Sequence, residues 1–276
     1  MDSVVWHDRP ELDEPVALIS FLGWNDGGEA ASMAVAHARE ALSAAPLATL
    51  DHEEYADFQV TRPDIVVDGG GARHIDWPST DLAYTTIGAR DIVFVLGDEP
   101  RLKWRSFVSE LASTLKSVGV EKAALLGAFV GQVPHTLPVP IIGVASEGDR
   151  EHFDLLPSSY SGPTGIVGVL NGMLPAHGIE VVGLWAATPH YLAGNENPKA
   201  AQALLTKAEM VLDVDLGAHK LLPEVDDWVE RVSDAMEGSD ELRGYVENLE
   251  ATAPDLDVDE GDLVDEIERF LRDGDS

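Results

Sequence analysis

The sequence predicts an α/β sandwich around a mostly parallel or mixed central sheet. Two features predict it. Apolar runs of strand length alternate with amphipathic stretches of helical length, and several of the apolar runs are continuous, as expected of strands covered on both faces. A third is size: 276 residues with 45% hydrophobic content supply a core for one large domain, or for one domain with an appendage.

The first strand is expected over 16–24. It runs through Gly23, Gly27 and Gly28 into a helix over 29–42. Strand-to-helix glycine turns cradle phosphate in nucleotide-binding folds. These glycines, however, match neither the dinucleotide fingerprint nor the pattern that ends Gly-Lys-Ser/Thr. Asp26 and Glu29 at the helix start would also repel phosphate. Asp26 reads as an N-cap and Glu29 as an acid stabilised by the helix dipole. The turn is therefore expected to be a tight corner lining a cleft.

Strands follow over 48–51, 82–87 and 92–96. Between the first two, residues 57–77 contain Pro63 and three successive glycines, 69–71, and read as a loop or a β-excursion. "GDEP" at 97–100 lies at the carboxyl end of a buried strand, where α/β folds place ligands. Asp98 and Glu99 there suggest a paired-carboxylate or magnesium site. Successive residues on a strand point opposite ways, so capping of the helix that starts near Arg101 is favoured. A helix over 103–118, strands over 123–130 and 141–145, a helix over 165–177 and a strand over 181–187 complete the rhythm.

The nine histidines show no His-x-His or His-x-x-x-His spacing, so no metal site is expected. His135 and His190 each follow a proline after an apolar strand. They are candidates to meet at one sheet edge as an acid/base pair, or to act as local hydrogen bonders. "SSYSGPTGIVGVL" offers Ser161 and Thr164 before a helix start without an acidic cap, an anion-friendly terminus. Its glycines 162, 165 and 168 equally suit close helix–sheet packing. Gly-x-Ser-x-Gly is absent, so no nucleophile elbow is expected. The candidate cleft thus comprises Trp24, Asn25, Asp26, Glu29, Asp98, His135, Ser161, Thr164 and His190. No residue is assigned a catalytic role, and no cofactor is expected.

Beyond Leu222 the composition shifts: residues 224–276 hold 20 Asp and Glu against 4 Arg. Apolar residues still recur at helical spacing, as Val225, Trp228, Val229, Val232 and Met236, and again as Leu263, Val264, Ile267, Phe270 and Leu271. The expected division is an α/β core over 1–222 and an acidic helical appendage over 223–276. The formal charge of −32, from 18 bases against 50 acids, argues against nucleic-acid and anionic-membrane partners. There is no apolar run of membrane-spanning length, no secretory signal and no cysteine, which points to a cytoplasmic protein.

Five segments in consistent order, "GWNDGGEAA", "GDEPRLKWRSF", "VPHTLPVP", "SSYSGPTGIVGVL" and "WAATPHYLAGNENPKA", resemble the proteasome assembly chaperone 2 family, in its bacterial branch from actinobacteria. The likeness covers roughly residues 16–212 and extends weakly into the C-terminal helices. It implies a three-layer α/β/α sandwich similar to purine nucleoside phosphorylases. It also implies self-association, as a dimer or trimer, or pairing with a relative. For eukaryotic and archaeal members it implies chaperoning of proteasome α-subunit rings. Two functions are expected on this basis. The first is a non-enzymatic assembly chaperone or protein-interaction module, with itself, proteasome subunits or another protein as partner. The second is a phosphorylase-like binder or enzyme, including a ligase-type activity, that uses the cleft at the strand ends.

Overall fold

A computed structural model of the chain describes residues 4–87 and 90–252. Its strands are β1 (Val4–Trp6), β2 (Val16–Leu22), β3 (Ala45–Asp51), β4 (Asp64–Val67), β5 (Arg73–Asp76), β6 (Ser79–Ile87), β7 (Arg90–Asp98), β8 (Lys122–Gly131), β9 (Ile141–Val144) and β10 (Glu180–Pro189). Its helices are α1 (Ala30–Ala41), α2 (Trp104–Ser117), α3 (Glu147–Phe153), α4 (Ile166–Met173), α5 (Pro198–Leu212), α6 (Leu222–Glu237) and α7 (Asp240–Thr252).

Eight strands form one mixed sheet in the order β1-β3-β6-β7-β2-β8-β10-β9, and β4 and β5 form a separate hairpin. The four central strands β7, β2, β8 and β10 are mutually parallel. They carry the continuous apolar runs, and β2 is buried from Val16 to Phe21. The flanking strands pair antiparallel. On one face α1 and α5 pack together, and their Ala30, Ala34, Ala38, Ala201, Leu205 and Ala208 share one buried cluster with Leu18, Phe94 and Leu184 of the sheet. On the other face α2 and α4 bury Phe107, Leu111, Ile166 and Leu170 over Ile19, Val95 and Leu125. The architecture is therefore the three-layer α/β/α sandwich, with helices on both faces of the sheet.

Local chemistry sets where the elements stop. β2 ends at Leu22, short of the expected Trp24, because Gly23 turns the chain at φ 114. The expected helix over 165–177 divides: α4 closes at Met173 and a 3-10 turn, Leu174–His177, follows with Pro175 at its start. α2 begins at Trp104, after Lys103 in left-handed conformation. The segment 57–77 is the β-excursion, namely the β4–β5 hairpin. α5 was not anticipated. Its start signal is Asn197-Pro198, where the Asn197 side chain accepts from Ala200 N at 2.9 Å.

His52 is fully buried, edge-on to Tyr55 and Phe107, with Nε2 2.8 Å from Thr80 Oγ1. Burial lowers its imidazole pKa to about 4, so it is neutral at pH 7. α6 packs on α5 and buries Val225 and Trp228, whose indole N–H donates to Glu196 O at 3.0 Å. α7 adds Val246 and Leu249. The apolar set Leu263–Leu271 lies outside the described residues. Among the described residues, no helix is long and apolar enough to cross a membrane.

Candidate functional site

The carboxyl ends of the parallel strands gather Asn25, Asp26 and Glu99. Asn25 and Glu99 are almost fully enclosed, and they face each other. Asn25 Nδ2 donates to Glu99 Oε1 at 2.8 Å, and the same oxygen accepts from Ile166 N at 3.0 Å. Ile166 is the first residue of α4, so Glu99 supplies the acceptor that the helix start lacks, and it places a negative charge at the positive end of the dipole. Gly165 is required just before it: a Cβ there would lie 2.1 Å from Asn25 Oδ1. The sequence expectation for "GDEP" is therefore corrected. The capping carboxylate is Glu99, and the helix it caps is α4, not α2. Asp98, the last residue of β7, is half-buried, and burial raises its pKa.

Asp26 caps α1, but from further away than expected. Its Oδ1 accepts from Ala31 N at 2.8 Å and Ser32 N at 3.1 Å. The residue at the N-cap position is Glu29, exposed and left-handed at φ 51, with no side-chain cap bond. A single 3-10 turn, Gly27–Glu29, intervenes. Its glycines are needed because the turn lies against two strand ends. A Cβ on Gly27 would come within 3.1 Å of Phe129 C, and Gly28 sits at φ 62 against Asn197. Asn197 N donates to Gly28 O at 2.9 Å, tying the start of α5 to the same turn. Beside this corner a cavity of about 350 Å³ is lined by Leu22, Gly23, Asp26, Gly28, Glu29 and the 193–195 loop.

Burial raises the Asp26 pKa against the pull of its N–H and Ser32 hydrogen bonds. The ionised form is thus disfavoured in the folded state, and the stability this group contributes is lost as pH rises through its folded pKa. At pH 7 Asp26→Asn keeps an acceptor without that cost. Its melting temperature is expected to match or exceed the parent's. Asp26→Ala leaves two N–H groups uncapped and is expected to cost about 0.5–2 kcal/mol. Thermal melts of the two variants check this, and an Asn variant weaker than Ala would contradict it.

The remaining candidates do not converge on the cavity. Trp24 is 58% exposed. Ser161 and Thr164 are exposed on the loop into α4, where Thr164 leans on Gly168. His135 and His190 do share one edge, at the ends of β8 and β10, each edge-on to Tyr191. They bond outward rather than to one another. His135 Nε2 lies 3.1 Å from Ser233 Oγ on α6, and His190 Nε2 lies 2.8 Å from Tyr245 OH on α7. Tyr191 OH accepts from His135 N at 2.8 Å, and burial pushes its pKa up to about 12. Burial, then the nearby Lys199 charge, lowers the His135 pKa, which favours a neutral ring under α6. Sequence reasoning missed Tyr191, Lys199 and Tyr245. The two proline–histidine turns marked the place, but the partners are distant in sequence.

Chemically, the carboxylates at the strand ends hold helix starts. Among the described residues, no three His, Asp or Glu side chains are placed to hold a metal ion. What this end of the molecule does offer is apolar surface. Asp51 pairs with Ser79 and Thr80 with Gly97, so the segment between β3 and β6 emerges at the same end as Glu99. It carries Ile65 (67% exposed), Val67, Ile75 and Trp77, and Leu22 at the end of β2 and Trp24 on the loop after it are exposed too.

A mixed eight-stranded sheet between two helical layers, with helix-capping carboxylates and an apolar rim at its carboxyl edge, defines a class of α/β/α proteins. Comparison with known proteins places the chain within it. The model of the PAC2 family matches residues 20–236, running across the expected 222/223 boundary into α6. The crystal structure of a PAC2 family protein from Streptomyces avermitilis is 42% identical, with a TM-score of 0.75, covering 84% of this chain and 99% of that one. A Mycobacterium tuberculosis proteasome-assembly chaperone homologue is 38% identical, with a TM-score of 0.76 and the same coverages. A Mycobacterium tuberculosis protein of unknown function, 26% identical, superposes with a TM-score of 0.86 over 99% of this chain and 97% of its own. No curated protein matches the chain. This chain belongs to the PAC2 family.

Proposed function

We propose that the protein is a non-enzymatic, assembly-chaperone-like module that acts through protein surfaces. The observation that carries this reading is the concentration of exposed large apolar side chains on the loops at the carboxyl ends of the strands, above all on the β4–β5 hairpin. Every residue of both hairpin strands is exposed, and a two-stranded ribbon of this kind is marginal in water by itself. Ile65 pairs directly with Ile75, and Val67 lies on the same face, so a partner can cover them as one patch. The relatives described as a PAC2 family protein and a proteasome-assembly chaperone homologue support the same reading. Under it, the partners are a second copy of the chain, in a dimer or trimer, and proteasome subunits. Under the same reading the core over 1–222 presents the rim and residues 223–276 are an acidic appendage to it, of which α6 and α7 are the described part.

Ile65→Asp/Ile75→Asp, measured by light scattering across a concentration range, tests the reading. The parent is expected to give an oligomeric mass and the variant a monomeric one with an unchanged melting temperature. A parent that is monomeric at every concentration overturns self-association. Equal retention of purified proteasome α-subunits by parent and variant overturns the assignment of the rim.

A further inference from the structure

Away from the hairpin, a second concavity of about 480 Å³ runs between the loop preceding α5 and the exposed side of α6. It adjoins the smaller cavity at the glycine corner: Glu29, Gly194 and Asn195 line both. Leu192, Trp228, Val232 and Met236 supply the apolar part of its lining, which serves as the floor for a docked segment. Its walls carry Glu29, Glu196 and Glu224 against the single base Arg231. Asp227, Glu230 and Asp234 extend the acidic flank along α6. Trp228 is held in place by its N–H bond to Glu196 O, so the floor is preformed.

We infer that this groove is a docking site for a basic amphipathic segment of another protein, with apolar side chains on the Trp228/Val232/Met236 floor and Lys or Arg against Glu29, Glu196 and Glu224. Charge selects the occupant. A second copy of this chain carries −32, and this chain's own residues from Glu224 onward hold 20 acids against 4 Arg. Like charges across a groove oppose both, whereas a cationic segment is steered in and fixed in register. Apolar residues at helical spacing opposite a cationic face are the form of peptide that such a groove accepts. The inference goes beyond the rim: it concerns a different surface, and Ile65→Asp/Ile75→Asp is expected to leave it intact.

The test uses the full chain and a fluorescein-labelled peptide of about 15 residues, with leucines at helical spacing and lysines on the opposite face. A counterpart with glutamate in place of each lysine serves as comparison. Fluorescence anisotropy is expected to show saturable binding of the lysine peptide, weakened by salt, and none of the glutamate peptide. Glu29→Gln/Glu196→Gln/Glu224→Gln is expected to bind about tenfold more weakly or worse, and so is the floor variant Val232→Asp. Both are to be compared at unchanged melting temperature. The control Glu11→Gln/Glu53→Gln/Glu151→Gln removes as many charges from exposed sites outside the groove and is expected to bind within about twofold of the parent. Failure of the lysine peptide to bind overturns the inference. So does equal weakening by the control set, which would mark attraction to the whole acidic surface, and so does equal binding of the glutamate peptide.

Discussion

Glu99→Ala is expected to lower the stability of the folded protein by about 2–5 kcal/mol. Glu99 is 6% exposed, and one of its oxygens takes hydrogen bonds from both Asn25 Nδ2 and Ile166 N. Removing it strands two buried donors, each worth about 1–3 kcal/mol once unpaired, and removes the charge at the start of α4. Relief of the carboxylate's own desolvation offsets part of the loss. Arg101 Nη1, at 3.9 Å and largely in solvent, adds little. Glu99→Gln keeps an acceptor oxygen and is expected to lose about half as much. Gly165→Ala pushes Asn25 away from the same junction, so the double variant with Glu99→Ala should fall short of the sum of the singles. Urea unfolding of the three single variants and the double variant checks this. A Glu99→Ala midpoint equal to the parent's would remove Glu99 from its place at the helix start.

Gly97→Ala is expected to cost about 3 kcal/mol, the upper end for an overpacked site. A Cβ at Gly97 would lie 2.4 Å from Ser79 O and 2.5 Å from Thr80 Cα. Both atoms are backbone of β6, and Thr80 pairs with Gly97 in the ladder. Neither can yield without opening the β6–β7 pairing, which leads straight to Glu99. Gly172→Ala, in α4, is the matching control: no atom lies within 4 Å of its added Cβ, and alanine favours helix, so that variant is expected to be about 1 kcal/mol more stable. A Gly97→Ala protein that unfolds with the parent would show that the β6–β7 approach is looser than described.

Much of this protein is legible in the residues alone. The continuous apolar runs of β2, β7, β8 and β10 name themselves as doubly covered strands, because burial on both faces removes the need for polar alternation. α1 and α2 are legible because their apolar residues recur at helical spacing, and the acidic amphipathic character of α6 is legible for the same reason. At the glycine corner the residues alone give the reason to expect a capped turn, since Asp26 and Glu29 place negative charge at the helix start.

What only tertiary structure decided is which distant groups meet. The sequence shows Glu99 beside Asp98 and near Arg101, but not that a strand end and a loop 67 residues apart bring it to Ile166 N. It marks His135 and His190 as neighbours of prolines. Their partners Ser233 and Tyr245 come from α6, which packs on α5, and from α7, which packs on α6. Hydrophobic pattern is local and periodic, so it survives in one dimension. Capping bonds, glycine close approaches and the acidic-walled groove depend on crossovers between parallel strands, which bring together residues that no spacing rule connects.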